Sequence, residues 1–337
     1  MDLTKAIDID DKKLIRLDKN MINLSYHLSD NIQRNLEEIE SLKNKVLITP
    51  LNPKRELNLR WEANLSKAYW GLTLADNPLT RNQMAKLLNN PLPKRLSDHQ
   101  KEVISYIETL NHIRYNWTGS IVPVSTKDVL NIYDLSCKSV FGSTASYYKS
   151  KEEEVKKIVE FIEKGKDHPV IQAGLLQIEL IKLSPFENGT GRVARLLSHL
   201  LLSKYGYDLR GLLVIENYYR EDLVSLKEAT KSIEKYKNAT FWLEYFTEGI
   251  KLSMRETLKQ IENQKSETHQ KQLWKLSQRQ TKILETMENP NIKITNKEVQ
   301  KMFKISQITA SRDLSKMVNL GILLPHGKGR SVFYTKV

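Results

Sequence analysis

Between Leu183 and Arg195 the chain reads LSPFENGTGRVAR, an Asn-Gly turn followed by small residues, two arginines and an apolar helical run. The positive end of a helix dipole disfavours a cation in its first turn by ~0.3–1 kcal/mol, so Arg192 and Arg195 need acidic neighbours or an anion. The backbone N–H groups of 189–192 stand at a helix start without intrahelical acceptors, the arrangement that holds phosphate. Arg192 and Arg195, spaced i, i+3, share one face beside them. Two readings fit this spacing: a phosphate cradle formed by Asn188, Gly189, Thr190, Gly191 and the two arginines, or a tight turn whose arginines pair with Glu187 or Glu179.

The loop needs two helices to hold it. Ile171, Leu175, Ile178 and Ile181 form one apolar stripe and predict a helix over 168–183, with Asp167 as N-cap, Pro169 in the first turn and Pro185 beyond the end. A second helix follows over 190–204. Three- and four-residue apolar spacings predict further helices over 13–41, 56–74, 80–89, 97–115, 126–140, 150–164 and 220–235. From Thr240 to about Leu276 the sequence reads as a polar bridging helix or linker.

The whole is a mainly helical globular chain of 337 residues, 40% hydrophobic and long enough for two or three domains. Its apolar runs fall far short of the ~20 residues of a membrane span, and the acidic N-terminus is not that of a signal peptide, so no membrane partner and a cytoplasmic location are expected. The single cysteine, Cys137, reads as a small buried hydrophobe. The net charge is +13, and residues 266–337 hold 13 Lys/Arg against 5 Asp/Glu, which marks that end for a polyanion.

The loop resembles the signature of the Fic (Fido) family, His-Pro-Phe-x-Asp/Glu-Gly-Asn-Gly-Arg-x-x-Arg. Pro185, Phe186, Gly189, Gly191, Arg192 and Arg195 match in register, and the resemblance extends over about 55–250. It implies transfer of AMP from ATP to a protein hydroxyl, with the motif His as general base, the acidic residue holding Mg²⁺ and the amides and arginines holding phosphate.

The departures fall on the chemistry. Ser184 stands at the His position, and a hydroxyl is no base near neutral pH; losing the base is worth ~10²–10⁴ in rate. Asn188 replaces the acidic residue, so Mg²⁺ would be weakly held, and Thr190 replaces the motif Asn. The family's inhibitory helix carries Ser/Thr-x-x-x-Glu-Gly; here Ser66 and Gly71 match while Trp70 takes the Glu place. Trp70 is either a groove-filling aromatic or a cap over a base or the emptied pocket. His199, in LLSHLLL, reads as a core histidine rather than a replacement base. The stretch VFGSTASYYKSKEEE leaves little room for the β-hairpin flap with which the family aligns its target. No metal site made of protein ligands is expected.

The last 62 residues resemble the winged helix-turn-helix family. Helices are predicted over 276–288, 296–303 with Thr295 as N-cap and Glu298 in a capping box, and from Ser306 to Asn319, stopped by Gly321; a β-hairpin wing follows. Ile308, Leu314, Met317 and Val318 should be buried. Gln307, Thr309, Ser311, Arg312 and Lys316 should face outward, Gln and Arg being the types that read A and G edges, with Lys328 and Arg330 of the wing on phosphate.

The expected fold class is thus mainly α: a Fic-type helical domain followed by a small winged-helix domain. The expected division is 1–54, 55–250, a linker helix over 251–275, and 276–337. The resemblances imply a transcription regulator with an inactive AMP-transferase site, binding double-stranded DNA and ATP or another nucleotide, with a homodimer suiting a palindromic site. The alternatives are a working AMP-transferase acting on a protein target, and a protein-interaction scaffold.

Overall fold

The computed structural model describes residues 14–15, 25–90, 92–263, 276–287, 292–320, 322–327 and 331–336. Two short antiparallel strands open it, β1 (Leu14–Ile15) and β2 (Tyr26–His27). Helix α1 (Asp30–Ile48) therefore starts well after the predicted Lys13. Ser29 caps it through a bond to the Ile32 N–H, and the apolar stripe Ile32, Ile39, Leu42 and Val46 carries it past Ser41.

Helix α2 (Pro53–Thr73) leads to α3 (Arg81–Asn89) and α4 (Asp98–Trp117), the last two opened by capping boxes at Thr80 and Ser97. The predicted 126–140 helix is divided at Cys137 into α5 (Thr126–Ser136) and α6 (Lys138–Phe141), followed by α7 (Ala145–Lys149) and α8 (Glu152–Lys164). At the centre lie α9 (Pro169–Leu183) and α10 (Thr190–Lys204), packed against each other. Every residue from Val170 to Leu180 is buried, as expected of a helix apolar nearly all round.

The cap of α9 is His168 rather than Asp167: the His168 ring accepts from the Val170 N–H, while Asp167 accepts from the Tyr26 hydroxyl at 2.6 Å. The predicted 220–235 helix is resolved into α11 (Glu216–Glu221) and α12 (Leu223–Tyr236), because the Asp222 carboxylate takes the N–H groups of Val224 and Ser225 and restarts the helix. Helix α13 (Thr240–Glu262) differs most from expectation. Trp242, Leu243, Phe246, Ile250 and Met254 are buried, and it packs along α1 and α9 as a core helix, not a bridge. Gly174 of α9 allows this approach: a Cβ there would come within 2.9 Å of Phe246, and the Trp242 indole donates to the Gly174 carbonyl at 2.8 Å. Residues 264–275 of the expected linker lie outside the described residues.

The C-terminal unit holds α14 (Gln278–Thr286), β3 (Lys293–Thr295), α15 (Asn296–Phe303), α16 (Gln307–Asn319), β4 (Leu323–His326) and β5 (Phe333–Lys336). Its sheet is antiparallel in the order β3-β5-β4, so β3 adds a strand the sequence did not suggest. Thr295 and Ser306 cap α15 and α16 as expected. Leu314 and Met317 are buried and Val318 is half-buried, but Ile308 is 65% exposed. The buried stripe runs Ala310, Leu314, Met317, which turns Ile308, two residues before Ala310, to the opposite side.

Candidate functional site

The α9–α10 connection is held from below by aromatic stacking. Phe186 is buried, its ring stacked on Tyr133 at 4.7 Å and on Tyr148 at 5.4 Å between centroids. Pro185 is buried beside it, and the Thr190 hydroxyl donates to the Phe186 carbonyl at 3.1 Å. Gly189 has φ +81°, and a Cβ there would come within 2.7 Å of the Cys137 sulfur, so both conformation and space require glycine. Cys137 is fully buried, and burial pushes its thiol up from the ordinary range. It serves as the floor of the loop.

Above that floor, Gly189 accepts the first intrahelical bond, from Val193. The amides of Thr190, Gly191 and Arg192 precede it and point out of the helix start. Ser184, Glu187 and Asn188 are exposed. Ser184 closes α9 in the left-handed region at φ 48°, ψ 64°, and the Tyr147 hydroxyl donates to its carbonyl at 3.4 Å. No imidazole, carboxylate or amine is hydrogen-bonded to the Ser184 hydroxyl among the described residues.

The two arginines do not share a solvent-facing side, as their spacing suggested. Arg192 is 2% exposed and turned inward: Nη2 donates to Glu102 at 2.6 Å and Nη1 to the Ser136 carbonyl at 3.2 Å. Glu102 of α4 is itself buried and also accepts from Asn77 at 2.6 Å. The partner is thus neither Glu187 nor Glu179, which lies apart near Lys182 and is pushed up by burial. Arg192 ties α10 to α4 and α5, where removing one partner of such a pair typically costs about 3–5 kcal/mol. Sequence reasoning missed Glu102, although its place on the stripe with Tyr106, Leu110 and Ile113 marked it as a buried charge in need of a partner.

Arg195 is the arginine that stays half-exposed at the loop. Its Nη2 donates to the Gly71 carbonyl of α2 at 2.9 Å, and its Nε is buried without a partner. Gly71 cannot carry a side chain, since a Cβ would meet the Tyr106 hydroxyl at 2.6 Å. Trp70 is half-buried with its ring 4.6 Å from Tyr69, and Ser66 accepts from Arg81 at 3.2 Å. Further along α10, His199 is buried 2.7 Å from Glu216. Burial would raise the Glu216 carboxyl, but His199 and the buried Lys67 together hold it below its ordinary value.

Where a hairpin flap would stand, residues 138–149 form α6 and α7, joined through Gly142 at φ +78°. Among the described residues no three His, Cys, Asp or Glu side chains converge as a metal site. None of their helices is long and apolar enough to cross a membrane. A cleft of about 600 Å³ lies elsewhere, between α1, α12 and α13, and no motif residue borders it.

On α16, Gln307, Ser311 and Arg312 are exposed while Thr309 and Lys316 are half-exposed. The helix is anchored by Asp313, which is 6% exposed and takes bonds from Arg279 and, at 2.8 Å, from Gln280 of α14. Ser311 accepts from Asn296 at 2.8 Å. Lys328, Arg330 and Gly321 lie outside the described residues.

The loop is thus pinned between two buried helices, with the amides that open α10 and the half-exposed Arg195 guanidinium beside it. Residues 99–202 match the model of the Fic/DOC family. The architecture is similar to a Fic family protein from Desulfovibrio desulfuricans G20, with a TM-score of 0.60 at 13% identity over 93% of this chain and 97% of that chain. It is also similar to Fic-1 from C. elegans, with a TM-score of 0.55 at 16% identity over 68% and 71%. At these identities the likeness is one of fold.

Proposed function

We propose that this chain is a transcription regulator in which a Fic domain binds the phosphates of ATP or another nucleotide without transferring AMP, and a winged helix binds DNA. The observation that carries the first half is the exposed Ser184 hydroxyl at the base position, without a basic partner among the described residues. A proton acceptor with a pKa near the working pH is what an attacking alcohol needs, and a serine hydroxyl does not supply it.

The residues fit a phosphate group. The amides of Thr190, Gly191 and Arg192 open a helix, and the orphaned Nε of Arg195 is a charged donor in search of an acceptor. Arg192 acts indirectly by fixing the start of α10 through Glu102. The residues do not fit a protein-held Mg²⁺: Asn188 is neutral, Glu187 is exposed, and among the described residues no carboxylate cluster stands nearby. Trp70 supplies no carboxylate for Arg195, and the Gly71 carbonyl takes that place.

For DNA, the support is the +8 of residues 266–337 and the polar face of α16 with Gln307, Ser311 and Arg312 outward and Thr309 and Lys316 beside them. The exposed Ile308 suits a thymine methyl but also favours a second reading, docking of this unit on an apolar protein patch. Binding of duplex DNA between 50 and 200 mM salt distinguishes the two. A loss of several orders of magnitude supports phosphate contact, and a flat response supports protein docking.

A further inference from the structure

At the far end of α2 from the motif loop, the chain turns between α10 and α11 through Leu209, Arg210 and Gly211, all three at positive φ. This turn aims two carbonyls at α2: Arg60 donates to Arg210 at 3.2 Å and Lys67 to Gly211 at 3.0 Å. A Cβ placed on Gly211 would lie 3.6 Å from both the Arg60 Cγ and the Arg114 Cδ, so the two arginine side chains converge on one glycine. Gly71 lies against Tyr106 and Arg60 lies beside Arg114, so α2 and α4 run antiparallel and bring these cations together.

Charge is unbalanced here. Arg60, Lys67, Arg114 and Arg210 face Glu56, Asp208 and Glu216, and Glu216 already holds His199. Glu56 is taken by Arg60, with Arg210 at 3.8 Å. Arg114 has no carboxylate within ion-pair distance and makes no hydrogen bond among the described residues; its Nη1 is buried without an acceptor. The adjacent Tyr115 hydroxyl and, one turn earlier, Asn111 Oδ1 are buried and unpartnered as well. A buried guanidinium nitrogen left without an acceptor is disfavoured, whereas the same nitrogen on a charged acceptor makes one of the stronger polar contacts.

We propose that Arg114, with Tyr115 and Arg60, forms a second oxyanion site at the end of the α2–α4 pair, taking a phosphate or carboxylate group that a small solute can bring to the half-exposed Arg114. The site is independent of the motif loop.

Inorganic phosphate titrated into the full chain at fixed ionic strength, followed by ³¹P line width and thermal stability, tests it. Arg195→Ala should remove binding at the loop and leave a saturable second site. Adding Arg114→Gln should weaken that site at least tenfold. Arg114→Lys, which keeps charge and stem but loses the fork, should weaken it several-fold and serves if the Gln variant does not fold. Acetate competing as well as phosphate assigns a carboxylate ligand, and acetate failing to compete assigns phosphate. Unchanged phosphate binding in the Arg195→Ala/Arg114→Gln chain overturns the proposal. So does a selenate-grown crystal with only ordered water at Arg114 Nη1.

Discussion

Arg195 Nη2 reaches the carbonyl of Gly71 across 2.9 Å, so the half-exposed arginine of the loop is tied to the end of α2 by backbone rather than by a carboxylate. A neutral carbonyl leaves the guanidinium its full charge, with Nε unspent. The contact positions Arg195 without neutralising it, which suits a residue that meets an anion.

Arg195→Ala is expected to weaken ATP binding by about 1.5–3 kcal/mol, roughly one to two orders of magnitude in Kd, the usual worth of a hydrogen bond to a charged group. Adenosine affinity should hardly change, because adenosine has no phosphate. Parallel equilibrium titrations check this, and an equal loss for both ligands would mean that Arg195 acts only through α2.

Glu102→Ala leaves the Arg192 guanidinium buried with the Ser136 carbonyl and the Cys137 sulfur but no carboxylate, and should destabilise the chain by about 3–5 kcal/mol in urea unfolding. The double variant Glu102→Leu/Arg192→Leu should recover much of that loss, since it leaves no uncompensated charge. A double variant as unstable as the single one would show that the pair matters for shape rather than charge.

Stability should fall as the solution is acidified. His168 is held below its ordinary 6.5 by burial, which outweighs the upward pull of Glu40 at 3.0 Å. Its Nδ1 accepts from the Val170 N–H at 3.2 Å, so the neutral ring carries its proton on Nε2 toward Glu40. With the folded value lowered, the unfolded chain takes up the proton first, and stability drops as pH falls through 6.5 toward the folded value. His168→Asn keeps a capping side chain but cannot titrate, so its stability should change less between pH 7 and 5.5. Identical profiles would remove His168 as the cause.

On the DNA side, Arg312→Ala should cost about 1–3 kcal/mol on a preferred site and relax preference at one base position, while Lys316→Ala should weaken all sequences alike and lower the salt slope by about 1. Fluorescence anisotropy on specific and scrambled duplexes separates the two effects. Asp313→Ala acts differently, by releasing Arg279 and Gln280 and loosening α16 itself.

How far the sequence led depends on which forces were local. The caps at Thr295 and Ser306, the starts of α3 and α4 and the bounds of α10 were legible, because capping and apolar periodicity lie within a few residues. The α13 helix was misread as a bridge because its buried residues are separated by charged residues that bond to α1: Lys251 donates to Asn35 at 2.9 Å and Arg255 pairs with Glu38. The inward turn of Arg192 was not legible, since its partner is 90 residues away on α4. The motif glycine at 189 was legible as a turn, but its reason, the Cys137 sulfur beneath it, required the fold.

The central claim is that the loop grips phosphate yet has no group to deprotonate an incoming alcohol. Incubating the chain with ATP labelled on its α-phosphate and a protein lysate, beside Ser184→His, tests it most directly. The account predicts no label on protein from the unaltered chain under conditions where it binds ATP. Robust transfer by the unaltered chain, lost in Arg195→Ala, would contradict it.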